Sequence, residues 1–191
     1  MKDDKRSIQT KQDISKAMIE LMSTEKFDTI SIVSICEKAL VTRATFYKYF
    51  EDKYHLISCI VDDCKDIVLK KYFQNYTYSS PKELFIYIAR VCIELIEQNS
   101  QTLKNIYLNC NNPRLEKQII QIIDSYIVDI LNQQKETVEY KVPIKVISKF
   151  YTCGILRLVL SYLDDNTIFT KENIMKFFEY ELTNTSLFAP K

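Results

Sequence analysis

The chain has 191 residues, 47% of them hydrophobic, with one Gly and four Pro. That length supports one large helical domain, or a small head sharing a core with a larger body, and the shortage of turn formers beside abundant Ile, Leu, Lys and Glu argues against a strand-rich fold. Twenty-six basic against 25 acidic side chains create no whole-molecule field for a polyanion, so any nucleic-acid contact must come from individually placed cations.

From Ser7 to Met22 the apolar residues fall at Ile14, Ala17, Met18, Leu21 and Met22, the series of a helix with one buried face. Phe27 and Ile30 follow in a short connection. Ser31 is placed to cap a second helix whose inner face is Ile32, Ile35, Cys36 and Ala39, and the two-residue break Leu40-Val41 separates it from a third. In that third helix Thr42 is the cap, and Phe46 and Phe50 share one face. Arg43, Ala44, Thr45, Tyr47 and Lys48 are left for solvent or DNA. A solvated polar face over buried aromatics is the ordinary reading of one such segment; two short helices across a tight turn have instead the spacing of a helix-turn-helix. Residues 1–53 hold ten basic and nine acidic side chains, so the same reliance on placed cations applies to this head alone.

Asp52 can cap a long linking helix over residues 53–72, with Leu56, Ile60, Cys64, Ile67 and Val68 inward. The polar stretch Gln74 to Pro81 marks an internal break. Helices are then expected over about 81–98, 100–108, 113–133, 143–163 and 170–182, with a break from Asn109 to Pro113. The penultimate one is apolar on more than one face and carries Gly154, the chain's single glycine, in its middle, where a glycine costs about 1 kcal/mol relative to Ala. Either close packing inside one protomer or close approach by a second chain would offset that cost.

The start MKDDKRSIQTKQD is charged where a secretory signal would be apolar, and no stretch reaches the roughly 18 uncharged residues of a membrane span. A cytoplasmic protein is expected, with no membrane partner. The six cysteines, at 36, 59, 64, 92, 110 and 153, include no CxxC pair and read as reduced thiols. His55, Cys59 and Cys64 could begin a zinc site, but the chain has only one His; a surface His beside a packed thiol is the alternative. No cofactor is expected. Neither a glycine-rich phosphate loop, nor HExxH, nor a nucleophile elbow is present, which leaves an enzyme as the weakest reading.

The run Ser31, Ile35, Ala39-Leu40-Val41-Thr42, Thr45-Phe46-Tyr47-Lys48-Tyr49-Phe50 and Lys53 before Leu56 resembles the N-terminal signature of the TetR family of bacterial transcription regulators. Leu40 departs from the pattern, standing where the family often has Gly in a turn that favours positive φ. The resemblance implies an all-α fold of about nine helices. Residues 1–53 would form a helix-turn-helix DNA-binding domain and residues 54–191 a ligand-binding and dimerisation domain. It also implies a homodimer on a palindromic double-stranded operator, most commonly a repressor, released by a small-molecule effector. Carried over by position, it puts Thr42, Arg43 and Ala44 at base edges and Thr45, Tyr47, Lys48 and Lys53 at phosphates. The effector pocket would lie among the later helices, where Tyr87, Cys92, Tyr107, Tyr126, Tyr151 and Arg157 are the candidate polar residues. The tail resembles the family's dimerisation pair, with Phe150, Gly154, Leu158, Phe177 and Phe178 as candidate interface residues. An activator or a zinc-responsive regulator of the same fold is the nearest alternative, and a helical dimeric interaction protein without DNA binding is the alternative from another class.

Overall fold

A computed structural model describes residues 2–68, 70–71, 80–110, 112–133, 135–136, 138–165, 167–184 and 188–190. The described chain is all-α: α1 Lys2–Met22, α2 Ile32–Lys38, α3 Arg43–Tyr49, α4 Lys53–Val68, α5 Pro81–Gln98, α6 Ser100–Asn109, α7 Pro113–Gln133, α8 Ile144–Asp164 and α9 Lys171–Asn184. One small addition escapes the helical reading: β1 Val138–Tyr140 pairs antiparallel with β2 Phe188–Pro190, Glu139 opposite Ala189. Three-residue strands are too short to display an alternation. The first helix also begins earlier than Ser7. The expected end of the linking helix at Tyr72, the break from Gln74 through Ser79, and Asn111 lie outside the described residues.

Two compact units divide the chain. One comprises Met1–Ile67 with Gln101–Ile119, the other Val68–Ser100 with Ile120–Lys191. This differs from a boundary after residue 53, and the reason is apolar packing: Leu56 and Ile57 of α4 and Leu115 of α7 belong to the same buried cluster as Ile14, Met18, Phe27, Ile35, Phe46 and Phe50. Once those side chains share one dry core, separating α4 from α1, α2 and α3 would expose it.

In the second unit α5 packs against both α8 and α9. Leu84, Phe85, Ala89 and Ile93 are fully buried, and the Phe85 ring stacks on Tyr151 with centroids 4.4 Å apart. Among the described residues α8 is the one helix long and apolar enough on average to cross a membrane, although Lys145, Lys149 and Arg157 interrupt it, so it holds no run of 18 uncharged residues. It serves as a core helix: Ile144, Ile147, Tyr151, Ile155, Val159 and Leu163 are buried inside the unit.

Candidate nucleic-acid interface

Local chemistry sets each end of the helix-turn-helix. Ser31 Oγ accepts the Ser34 N–H at 3.0 Å while Ser34 Oγ accepts the Ser31 N–H at 3.1 Å, a reciprocal cap that satisfies two donors at the start of α2. At its other end the Leu40 N–H donates to Glu37 O at 3.2 Å and the Val41 N–H to Cys36 O at 3.0 Å. Those two bonds form a Schellman motif, which requires a left-handed residue at its turn. Leu40 supplies it with φ 55°. Thr42 Oγ1 then accepts the Thr45 N–H at 3.1 Å and caps α3.

Phe46 and Phe50 are buried on the inner face of α3 with ring centroids 5.6 Å apart. That anchoring turns Thr42, Arg43, Ala44, Tyr47 and Lys48 outward, all of them exposed, with Thr45 half-buried. Among the described residues Arg43 makes no hydrogen bond or ion pair within the protein, which leaves its guanidinium for a partner. An open cleft of about 940 Å³ runs beside this helix, lined by Arg6, Thr10 and Lys16 of α1, by Leu40 and Thr42 of the turn, and by Thr45 and Lys48.

Tyr49, left unassigned in the sequence, joins α1 to α3. Its hydroxyl accepts from Ser7 Oγ at 3.0 Å, and the ammonium groups of Lys11 and Lys48 lie 5.6 and 5.5 Å from its ring centroid. Only the long sequence separation hid this contact.

Lys53 has a different position from the one its motif implies. Its ammonium donates to the carbonyls of Phe27 at 2.8 Å, Asp28 at 3.3 Å and Ile30 at 2.9 Å, and lies 4.5 Å from the Phe27 ring centroid. All three N–H donors are therefore committed to the turn before α2, and burial lowers the pKa of this lysine. The same turn is tied to the start of α7, where Asn112 caps the helix by accepting the Leu115 N–H at 2.9 Å and donates to Asp28 Oδ1 at 2.5 Å. Arg114 lies 3.8 Å over the Tyr54 ring.

His55 is likewise occupied. Its Nδ1 accepts the Glu51 N–H at 3.1 Å, and its own N–H donates to Asp52 Oδ1 at 2.7 Å, capping α4. Cys64 is exposed while Cys59 is half-buried, and no group of three ligating side chains occurs among the described residues.

In the second unit, α8 is covered on one face only. Val146, Phe150, Cys153, Gly154 and Arg157 form an exposed strip, with Phe150 73% exposed. A Cβ added at Gly154 would meet nothing within 4 Å, so packing inside the protomer gives no reason for a glycine there. On α9 Phe177 and Tyr180 are exposed. Phe178 is buried in the unit's core beside Ile174, because adjacent helical residues face different directions; it is removed from the candidate interface. Leu158 is half-buried.

The polar candidates for an effector scatter. Tyr87, Cys92 and Tyr126 are half-buried, Tyr151 is buried against Phe85, and Arg157 is exposed. Tyr107 belongs to the other unit. Burial pushes the Cys92 thiol up to about 11, keeping it a neutral, unreactive group. A cleft of about 760 Å³, lined by Val128, Val138, Tyr140, Pro143 and Ile144, includes none of the six. Thr152 was missed in the sequence: its Oγ1 is buried and has no hydrogen-bond partner among the described residues, whereas neighbouring Ser148 bonds to Asp124. Periodicity cannot reveal an unsatisfied hydroxyl.

Comparison with known proteins agrees with this architecture. Residues 85–184, just over half of the chain, match the family model TetR_C_8, described as a transcriptional regulator C-terminal region. A TetR transcriptional regulator from Streptococcus agalactiae 2603V superimposes with a TM-score of 0.65 at 20% identity, covering 95% of this chain and 98% of that one. A TetR-family regulator from Syntrophomonas wolfei gives 0.66 at 22%, covering 92% and 93%. In sequence, the chain is 37% identical over 59 residues to the dhaKLM operon transcriptional activator DhaS of Lactococcus lactis, covering 31% of this chain and 32% of that protein. It is 29% identical over 65 residues to the HTH-type regulator YxbF of Bacillus subtilis, covering 34% of this chain and 17% of that protein. Those two matches thus span less than a third of either relative's length. The fold and the C-terminal match set the enzyme reading aside, and the chain belongs to the TetR family of transcriptional regulators.

Proposed function

We propose that the chain is a ligand-responsive repressor that binds a palindromic DNA operator as a homodimer and is released by a small molecule. The observation that carries the reading is the outward strip Thr42, Arg43, Ala44, Tyr47 and Lys48 on a helix whose opposite face is locked by Phe46 and Phe50. Arg43 reads a guanine through O6 and N7, worth about 1–3 kcal/mol of discrimination. Lys48, Tyr47 and Thr45 hold phosphates and set the salt dependence. Lys53 acts first by fixing the turn before α2; its ammonium reaches a phosphate only by giving up a carbonyl.

The homodimer is supported by the uncovered α8 face, where Val146 and Phe150 leave apolar surface in water beside a glycine with open space around it. A second copy of α8 crossing at Gly154 would cover that surface. The unpartnered Thr152 hydroxyl in an apolar core supports an effector with a hydrogen-bonding group, since a buried hydroxyl left unmade is costly. An activator remains the second reading because the Lactococcus relative is named as one; the sign depends on where the operator lies relative to the promoter.

Footprinting on the DNA upstream of the chain's own gene, repeated with candidate effectors, tests the proposal. Protection of a palindrome overlapping the promoter, lost with one effector, is the expected result. No protection at any salt concentration would remove DNA recognition from the account.

A further inference from the structure

Leu40 is the one non-glycine residue with positive φ among the described residues, at 55°, and it is 93% exposed. Its backbone is dictated by the Schellman bonds from Leu40 to Glu37 and from Val41 to Cys36. A left-handed conformation is demanded there whichever residue occupies the site, and glycine meets it without the Cβ clash that leucine suffers. Burial gives no compensation, since almost the entire side chain is in water. A strained, solvent-exposed aliphatic residue at a functional surface points to a contact made outside the protomer.

The position says which contact. Leu40 lines the same cleft as Thr42, Thr45 and Lys48 and stands two residues before Thr42, the cap of the helix that presents Arg43. Where that helix enters a major groove, a side chain at the preceding turn lies along the groove edge. The apolar group displayed there by B-DNA is the thymine C5-methyl. We propose that Leu40 is a specificity-determining residue that packs on a thymine methyl at the border of each half-site. This rests on the DNA-reading proposal above and adds an apolar base contact to the polar ones assigned to α3.

The test uses the full-length protein and the palindrome footprinted upstream of its gene, with each thymine replaced in turn by deoxyuridine, which lacks only the methyl. Wild type is expected to lose about fourfold in affinity at one thymine per half-site, the value of one buried methyl-sized contact. Leu40→Gly, which removes the contact from both half-sites at once, is expected to lose about sixteenfold on the unmodified duplex, to show no further loss with deoxyuridine at that position, and to unfold at an equal or higher temperature. Leu40→Ala, which keeps the strained Cβ, should lose the methyl sensitivity without the gain in stability. If Leu40→Gly retains the deoxyuridine effect, or loses affinity equally on every duplex, the thymine contact is overturned while DNA reading stands. Should wild type show no salt-sensitive binding to any duplex, both proposals fail together.

Discussion

The head and the second unit both bury apolar helix faces, and they differ in the character of the side chains they leave in water. In the head, α2 and α3 have seven residues each, too short to persist alone, yet both are capped by their own Ser or Thr and anchored by fully buried side chains. Two of its polar residues are committed to the fold: Lys53 holds the turn at Phe27 to Ile30, and Asn112 holds Asp28. The second unit has helices longer than α2 and α3 and exposes the aromatic side chains Phe150, Phe177 and Tyr180, whereas the head's exposed apolar side chains are mostly aliphatic, Ile8, Val33, Leu40, Ile67 and Leu108. On the proposed reading the head presents its polar side chains to DNA, and the exposed face of α8 meets a second copy of the chain.

Breaking the head should have the largest effect. Phe46→Ala removes a fully buried ring and should cost about 3–5 kcal/mol, read as a lowered unfolding midpoint with loss of DNA binding. Sedimentation of the same variant should still report a dimer, because the proposed contact lies elsewhere. The converse experiment is Phe150→Asp. Its side chain is 73% exposed, so the protomer should keep its helical content while the dimer dissociates and operator affinity falls with it. A finer cut within the head is Arg43→Ala against Lys48→Ala. The first should lose about 1–3 kcal/mol at one base position, and the second should weaken binding to all sequences and reduce the salt slope by about one.

Gly154→Ala sharpens the comparison further. With nothing within 4 Å of the new Cβ, the isolated protomer should gain up to about 1 kcal/mol in helix stability, while dimerisation should weaken if a partner backbone approaches there. An unchanged dimer would mean that the crossing lies elsewhere on α8. The smallest expected effect concerns Cys92, whose thiol burial holds at about 11 against a usual 9.0. Because the folded value is the higher one, its contribution to stability is complete below pH 9 and fades as pH rises through 11. Alkylation at neutral pH should therefore be much slower at Cys92 than at the exposed Cys153.

Much of the head was legible because its signals are local. The Ser31 and Thr42 caps, the four-residue spacing of Phe46 and Phe50, and the left-handed position at Leu40 each follow from a few adjacent residues. What was not legible depends on distance in sequence. The Ser7–Tyr49 bond, the Lys53 contacts with the turn before α2, and the Asn112–Asp28 link join residues that only the fold brings together, so the boundary after residue 53 and the phosphate role of Lys53 followed the motif rather than the packing. In the second unit, periodicity identified the helices but could not say which apolar residues face inward: Phe177 and Phe178 are indistinguishable by composition, and one is exposed while the other is core. Thr152 and Arg157 show the same limit for polar groups.

The central claim is that a near-neutral chain reads DNA through a few placed side chains presented in duplicate. It is tested most directly by titrating a fluorescent duplex carrying the upstream palindrome, over a series of salt concentrations, with wild type and Arg43→Ala. The account predicts two protomers per duplex, affinity that falls steeply with salt, and a loss in the variant that disappears when one symmetric guanine pair is replaced. Binding by a single protomer, or equal affinity of both proteins for every duplex, would contradict it.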